Sequence, residues 1–397
     1  MTERDAIDYP LPPVAAIEPP VEWAELRQQC PVAHVRLPSG DQAALLTRYD
    51  DVRQLIADPR FARNSADKDA ARISQLDQQE SPIPRLGEGH QRWRRMLTKW
   101  FTAKRMAVLR PRIETMAEQL VDEMIAQGQP ADLRASLGFP LPVWVICDLL
   151  GVPNEDRDRF SHWSDTFLSV SRYSQEEIDA AQAEFTAYMA GHVDAKRDAP
   201  GEDLLSDLIT RADAAGEYLG NDALVATGKG LLIAGHETTT NMIGKMMAML
   251  LAGDRVHWKQ LLADPTLVRT GVEETLRYDA NAGFGLTRYV DEDVELSGGT
   301  LPAGTTAICS LGSANRDESV FPDAAELDLT RSPNTHISFG VGPHSCVGQP
   351  LARAELQVVL EVLLRRLPTL ALAVPVAELP PVEGLLVGGL RKVPVVW

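Results

Sequence analysis

The sequence predicts a mainly α-helical protein with small β-sheets. Apolar residues recur at helical spacing through much of the chain, as Met116, Leu120 and Met124 do on one face of a predicted helix. Strand patterns are confined to short segments. These predicted strands cover residues 43–47, 289–296, 305–311 and 393–397.

The longest predicted helix covers residues 222–252, with Asn221 as its N-cap and methionines along its apolar face. Near its middle, Ala234 and Gly235 are followed by the polar run 236–240. Polar side chains inside a buried helix are costly unless they have partners or a use. The pattern therefore indicates a functional segment in the centre of the protein.

Two more helices have clear starts. Asp264 and Pro265 form an N-cap followed by proline at the first helical position, and the helix continues through Arg277. The other begins just past Gly348 and carries leucines and valines at helical spacing to Leu367.

Length and composition are those of a globular protein that can bury a large core. The 397 residues are 44% hydrophobic and 24% charged, with no internal repeat or low-complexity linker, which predicts a single domain over residues 1–397. The formal net charge is −17, and such a field repels phosphate. We therefore expect neither a nucleic acid nor a membrane as partner.

The first 21 residues hold several prolines and no apolar run that could enter a bilayer, so we expect no signal peptide or anchor. The four cysteines are too few and too scattered for a disulfide framework in a chain of this size. A reducing compartment, the cytoplasm, is the expected location.

Cys346 lies in a glycine-rich loop, residues 339–348, immediately before the helix that begins past Gly348. The positive end of a helix dipole and nearby backbone N–H groups stabilise a thiolate at such a position. One alternative is that Cys346 is a buried free cysteine. Another is that Cys346 and His344 bind zinc, although no C-x-x-C pair or histidine cluster supplies the remaining zinc ligands. Ser345 stands where a dinucleotide-binding loop needs its third glycine.

This loop, continued by residues 351–353, resembles the haem-binding signature of the cytochrome P450 family. The resemblance implies a triangular helical prism, with haem b between the long central helix and the helix after the cysteine loop. It also implies that Cys346 is the metal ligand, and a thiolate favours cleavage of the O–O bond. O2 and electrons from NAD(P)H would then drive oxidation of a small molecule.

Residues 234–239 resemble the family's oxygen-activating motif, in which Glu237 and Thr238 are the catalytic pair. Thr238 would hold a water near the bound oxygen, and Glu237 would relay protons from solvent. The alternative is a Ser/Thr patch that bonds back to its own helix. A different class of function is a haem protein that senses a ligand without catalysing a reaction. The Glu237-Thr238 pair argues against a sensor, because a sensor needs no proton relay.

Glu274 and Arg277 are spaced to face each other on one helix side. The resemblance implies a buried structural pair that supports the haem loop, against which the segment around Arg316 packs. An isolated pair of this kind would otherwise be a solvated surface bridge.

The two haem propionates need cationic or hydrogen-bonding donors. The resemblance assigns this role to His90 and Arg94, which share a helix face at i and i+4, and to Arg288 and His344.

The chain has no flavin or iron–sulfur module, so a ferredoxin and a ferredoxin reductase are the expected electron donors. Between Arg92 and Arg112 the sequence has eight basic residues and no acid, in a protein that is acidic overall. Such a surface would steer an acidic ferredoxin.

The substrate is the least determined property. Small residues at 282, 283 and 285 suggest room above the haem, with Phe284 as a wall. Short segments also resemble the branch of the family that oxidises cyclodipeptides, which favours hydroxylation or aryl or indole coupling of an aromatic diketopiperazine. The alternative is regioselective hydroxylation of a polyketide macrolide or a terpenoid. The predicted pocket residues are Ala234, Gly283, Phe284, Gly285, Leu286, Leu386 and Val387.

Overall fold

The structure is a computed structural model, and it describes residues 6–15, 17–61, 70–73, 87–167, 172–214, 219–279, 283–382 and 387–397. Helices dominate, as predicted. In chain order they are α1 (Glu22–Gln29), α2 (Tyr49–Ala57), α3 (Gly87–Thr98), α4 (Ala103–Gln127), α5 (Pro140–Leu150), α6 (Arg157–Phe167), α7 (Gln175–Asp198), α8 (Leu204–Ala214), α9 (Asn221–Leu251), α10 (Val256–Ala263), α11 (Val268–Tyr278), α12 (Leu311–Ala314) and α13 (Gln349–Arg366).

The strands form small sheets beside the helices. They are β1 (Ile7–Asp8), β2 (Val32–Arg36), β3 (Gln42–Leu46), β4 (Ala131–Asp132), β5 (Leu286–Val290), β6 (Val294–Leu296), β7 (Gly299–Leu301), β8 (Thr305–Cys309), β9 (Ala371–Leu372) and β10 (Pro394–Val396). The largest sheet has the order β1-β2-β3-β8-β5, and the others are β4-β10-β9 and β6-β7.

The long central helix is confirmed within one residue of the prediction. α9 covers Asn221–Leu251, and its second half is buried on all sides. The N-cap lies one residue earlier than predicted: it is Gly220, and Asn221 is the first helical residue. The Asn221 side chain instead accepts a hydrogen bond from Arg197 and donates one to Asp194.

α9 packs on α5 and α7, and it also contacts α11 and α13, the two helices whose starts were predicted. The Asp264 side chain accepts a hydrogen bond from the Thr266 N–H and caps a 3-10 turn that leads into α11. α13 begins at Gln349, directly after the cysteine loop. A continuous apolar core between these helices fixes their relative positions.

Glu274 and Arg277 form a fully buried ion pair on α11, with 2.7 Å between the Arg277 Nη2 and Glu274 Oε1 atoms. Arg277 also donates to the carbonyls of Asn315, Ala324 and Glu326. This confirms that the pair is structural, because it fastens α11 to the irregular segment that leads to the cysteine loop. Arg316 lies beside it, 3.4 Å above the Tyr278 ring.

None of the described helices is long and apolar enough to cross a membrane.

We predict that Glu274→Ala destabilises the protein strongly. It leaves the Arg277 guanidinium buried without its carboxylate and removes acceptors for Arg331 and Asn334, so a loss of about 3–5 kcal/mol is expected. Denaturant unfolding followed by circular dichroism measures it. Arg36→Ala is the matched control, because its pair with Asp8 is exposed and should contribute less than about 1 kcal/mol. Similar losses in both variants would contradict the assigned role of the buried pair.

Candidate active site

The cysteine loop turns tightly at two glycines. Gly340 has φ +64° and Gly342 has φ +73°, and a Cβ at Gly342 would lie 2.6 Å from the Cα of Ala57 on α2. A side chain at Gly342 is therefore excluded by both backbone conformation and contact. The Cys346 N–H donates to the Phe339 carbonyl at 2.8 Å, which closes the loop, and the Cys346 side chain is left exposed.

A second acid on α11 holds this loop, and the sequence analysis did not identify it. Arg353, on the second turn of α13, donates to both carboxylate oxygens of Glu273 at 2.7 and 2.9 Å. His336 lies 3.0 Å from the same carboxylate, and the Arg353 guanidinium stacks over the Phe339 ring. The Arg353 and His336 contacts together outweigh partial burial and lower the pKa of Glu273 to about 2. The adjacent acids Glu273 and Glu274 thus fix the loop and its approach.

The middle of α9 presents an opening in a helix that is otherwise largely buried. Ala234 is exposed and Gly235 and Thr238 are half-buried, whereas their neighbours on the same helix are buried. A Cβ at Gly235 would lie 2.9 Å from the Ile146 side chain of α5, so only glycine fits there without a shift. The Thr238 hydroxyl donates to the Ala234 carbonyl at 2.7 Å. That bond is the back-bonding alternative considered above, and it leaves the hydroxyl oxygen able to accept from another donor.

The Glu237 side chain, next to Thr238 in the sequence, is buried in the protein. It is 1% exposed, and its Oε1 atom accepts from Arg134 at 3.2 Å and from Asn241 at 3.0 Å. The His236 Nε2 atom lies 3.6 Å from the other carboxylate oxygen. Glu237 and Thr238 are therefore neighbours in sequence that face different surroundings, and Arg134 is a second functional candidate that sequence reasoning missed.

The predicted propionate donors come from three separate parts of the chain. The rings of His90, on α3, and His344, in the cysteine loop, have centroids 4.4 Å apart. Arg94, one turn after His90, is close enough to Cys346 for a thiolate there to raise its pKa, although partial burial has the larger effect and lowers it. His90, Arg94 and His344 are thus brought together around Cys346.

Arg288 lies on β5 and is 1% exposed. Its Nη atoms donate to the carbonyls of Thr287 and Ile56 at 2.8 and 3.3 Å. A buried guanidinium is stabilised by an anion, and a haem propionate has the required charge and geometry.

These residues fit a haem. The Cys346 residue is exposed in a loop without side chains at its tight turns, and the opening on α9 has small residues at 234 and 235. His90, Arg94 and His344 lie close to this loop. Within the described residues, no three His, Cys, Asp or Glu side chains are grouped to hold a metal ion.

The small residues at the start of β5 have a different cause from the one predicted. Gly285 has φ +87°, and a Cβ there would lie 2.8 Å from the Cys309 carbonyl oxygen of β8. A Cβ at Gly283 would lie 3.2 Å from the Gly388 nitrogen. Backbone conformation and packing therefore require glycine at 285, and at 283 a side chain would press on the backbone of Gly388.

Phe284 has its observed contacts in the N-terminal part of the chain, and its role as a pocket wall stays a prediction. Phe284 is 3% exposed and packs edge to face on Tyr9, with ring centroids 5.1 Å apart, in the cluster between the N-terminal segment and the main sheet. The Tyr9 hydroxyl donates to the Phe284 carbonyl at 2.7 Å. Phe284 thus anchors the chain before β5.

Other predicted pocket residues lie near the site. A Cβ at Gly340 in the cysteine loop would lie 3.7 Å from the Leu286 side chain, which is half-buried. Val387 precedes Gly388, which contacts Gly283, so these two distant segments meet. Leu386 lies outside the described residues.

Comparison with known proteins defines the class. A family model described as Cytochrome P450 matches residues 252–373, which include the cysteine loop. The chain is 42% identical over 399 residues, covering all of both chains, to the mycinamicin IV hydroxylase/epoxidase of Micromonospora griseorubida. The protein is a haem-iron oxidoreductase that uses O2, and it belongs to the cytochrome P450 family.

Further relatives support an enzyme. The monooxygenase PikC of Streptomyces venezuelae is 39% identical, with 96% of this chain and 92% of PikC covered. The crystal structure of the mixed-function P450 MycG has a TM-score of 0.89 at 42% identity, covering 99% of this chain and 100% of MycG. The crystal structure of the putative thioether synthase SgvP has a TM-score of 0.94 at 38% sequence identity, and it too covers 99% of this chain and 100% of SgvP. The chain is a P450 monooxygenase, and the predicted family and fold are confirmed.

The comparisons change the substrate prediction. The relative from Micromonospora griseorubida is named for hydroxylation and epoxidation of mycinamicin IV, and PikC is named a monooxygenase. Neither of these two names, nor that of MycG or SgvP, mentions a cyclodipeptide. The diketopiperazine hypothesis is therefore not supported, and the macrolide alternative fits better.

We predict that the Glu273 pair contributes to acid stability. Because its pKa is lowered to about 2, its contribution is present above the ordinary pKa near 4.5 and is lost as the pH falls from there toward 2. Glu273→Gln should remove about 2–3 kcal/mol at pH 7 and flatten the dependence of the unfolding free energy on pH below 5. Urea unfolding at several pH values measures this. An equal slope in wild type and variant would mean that Glu273 is not held in this way.

Proposed function

We propose that the protein inserts one oxygen atom of O2 into a macrolide-type polyketide, by hydroxylation or epoxidation. The other oxygen atom leaves as water with two protons and two electrons from NAD(P)H. The observation that carries the proposal is the full-length 42% identity to a mycinamicin IV hydroxylase/epoxidase. The likeness to the MycG structure along the whole chain supports it.

The residues around the cysteine loop would hold the cofactor. Cys346 would ligate the haem iron, and His90, Arg94, Arg288 and His344 would bind the propionates. The bound haem supplies O2 activation. The glycine turns, together with Glu273 and Glu274, fix the position of the sulfur.

Thr238 and Glu237 would supply protons. The Thr238 hydroxyl already donates to the Ala234 carbonyl, so its oxygen can accept a hydrogen bond from a water in the opening beside Ala234. Glu237 lies behind it, buried, and would transfer protons to that water.

The substrate would lie over the opening on α9. Ala234 is exposed there, and Leu286 and Val387 are half-buried at the neighbouring β5 and 387–389 segments. Gly283 and Gly285 shape the backbone of this wall.

A ferredoxin, reduced by a ferredoxin reductase, would dock on the basic segment from Arg92 to Arg112. Several of its cations are already engaged: Arg110 pairs with Glu361, Arg112 pairs with Asp148, and Arg105 stacks on Trp100. Three exposed cations in this segment have no ion pair with any described residue. They are Arg95, Lys99 and Lys104.

The first prediction from this proposed function concerns the substrate. Mycinamicin IV should shift the Soret band of the haem-loaded protein, and with NADPH, ferredoxin and reductase it should give a product heavier by one oxygen atom, detected by mass spectrometry. A cyclodipeptide of tyrosine is the comparison ligand and should give neither. A shift and a product with the cyclodipeptide alone would contradict the proposal.

The second prediction concerns Cys346. The reduced, CO-bound protein should show the long-wavelength band of a thiolate-ligated haem, and Cys346→Ser should lose it because a hydroxyl ligates iron poorly. Cys147→Ser is the control, since Cys147 is buried in the α5 core. The same spectrum in Cys346→Ser as in wild type would remove Cys346 from the site.

The third prediction concerns ferredoxin docking. Arg95→Glu and Lys99→Glu should slow reduction by ferredoxin, and reduction of the wild type should slow with added salt, because steering is electrostatic. Stopped-flow reduction under CO measures both effects. Lys259→Glu, an exposed cation on α10, is the control and should change little. A rate insensitive to salt and to both charge reversals would place docking elsewhere.

A further inference from the structure

Arg134 is fixed at its base by a sheet. It is the first residue of a π-helical turn, Arg134–Gly138, that follows β4 and leads into α5. The Arg134 N–H donates to the Asp132 carboxylate at 3.1 Å, and the same carboxylate oxygen accepts from the Val393 N–H at 2.9 Å. The pairing of β4 with β10 therefore determines where the Arg134 side chain starts.

The Arg134 side chain reaches α9 and contacts one oxygen of Glu237. Arg134 Nη2 and Asn241 Nδ2 both lie within hydrogen-bond distance of Oε1, at 3.2 and 3.0 Å. The second oxygen, Oε2, has no hydrogen-bond partner among the described residues, and the His236 Nε2 atom is 3.6 Å from it. The carboxylate is thus held by one oxygen while the other is left available.

The pair connects the interior to the surface. The Glu237 side chain is 1% exposed, whereas that of Arg134 is 20% exposed. In the described part of the chain, the cations that face Glu237 are Arg134 and, when it is protonated, His236, whose Nδ1 atom lies 3.0 Å from the Leu232 carbonyl. The hydroxyl of the adjacent Thr238, which is half-buried, donates to the Ala234 carbonyl.

We propose that Arg134 is a positioning residue for proton supply, which orients Glu237 and marks the side from which protons reach the central helix. This inference rests on the proposed relay through Glu237 and Thr238. A water at the partly exposed Arg134 guanidinium passes a proton to the available Glu237 oxygen and is itself reprotonated from bulk solvent. Glu237 then passes it to the water held by Thr238, so each transfer returns Glu237 to its starting state.

The proton balance gives a measurement that needs no organic substrate. Reduction of O2 to H2O2 takes two electrons and two protons, and reduction to two H2O takes four of each. With NADPH as reductant, one NADPH per O2 indicates peroxide and two indicate water. Poor proton supply favours early release of peroxide, so the partition reports on the relay directly.

The test compares full-length, haem-loaded variants supplied with NADPH, ferredoxin and reductase. Arg134→Gln should raise the peroxide fraction severalfold and enlarge the solvent deuterium isotope effect on water formation, and Arg134→Lys should restore most of both. Arg36→Gln is the matched control, because Arg36 forms an exposed pair with Asp8. A peroxide fraction and isotope effect equal to wild type in Arg134→Gln would overturn the inference.

A second readout is independent of turnover. If Arg134 and Glu237 interact as described, the loss of stability in Arg134→Gln should be smaller in a Glu237→Gln background, and urea unfolding of the four proteins measures this coupling. Additive losses would also overturn the inference. Non-additive losses with an unchanged peroxide fraction would make the pair purely structural and overturn the positioning role.

A separate variant tests the relay on which the proposed role of Arg134 depends. Thr238→Ala, measured under the same conditions, should itself raise the peroxide fraction. An unchanged fraction in Thr238→Ala would overturn the relay and with it the role of Arg134. Failure of mycinamicin IV to bind would contradict only the proposed substrate, because this measurement contains no substrate.

Discussion

The position of the Cys346 sulfur is the constraint on which the rest of the site depends. An exposed cysteine on a loop of glycines has no rigidity of its own, so the loop must be held from outside. Two adjacent acids on α11 do this: Glu274 through the buried Arg277, and Glu273 through Arg353 of α13 and His336. Charged groups are used here because bidentate pairs and bonds to carbonyls fix direction as well as distance.

Buried charged groups also stabilise the centre of α9. There the helix must stay intact while its centre opens, so a small residue and a glycine replace side chains at 234 and 235, and Gly235 lies against Ile146. The acid that follows, Glu237, is buried and is held by Arg134 and Asn241. A few buried ion pairs therefore support the two helices. The start of β5 is instead held by a close backbone contact, that of Gly285 with Cys309.

Much of this architecture could be predicted from sequence. The helix 222–252 was predicted within one residue of α9 because its apolar pattern continues over many turns. Asp264 and Pro265 marked the turn that leads into α11, because a helix cap depends on residues adjacent in the sequence. Arg134 could not be found, since it lies 103 residues from Glu237 and only tertiary packing brings them together. The contact of Phe284 with Tyr9 could not be found either, because Tyr9 is 275 residues away. The single domain over 1–397 and the ligand roles of Cys346, His90, Arg94, Arg288 and His344 stay predictions.

The central claim is that one protein sulfur, from Cys346, ligates iron in the assembled protein. X-ray absorption at the iron edge of the ferric, haem-loaded protein tests it most directly, because sulfur scatters differently from nitrogen and oxygen. The account predicts one sulfur atom in the first shell of the wild type. It also predicts that this sulfur is replaced by a lighter atom in Cys346→Ser. A first shell of nitrogen and oxygen alone in the wild type would contradict the account.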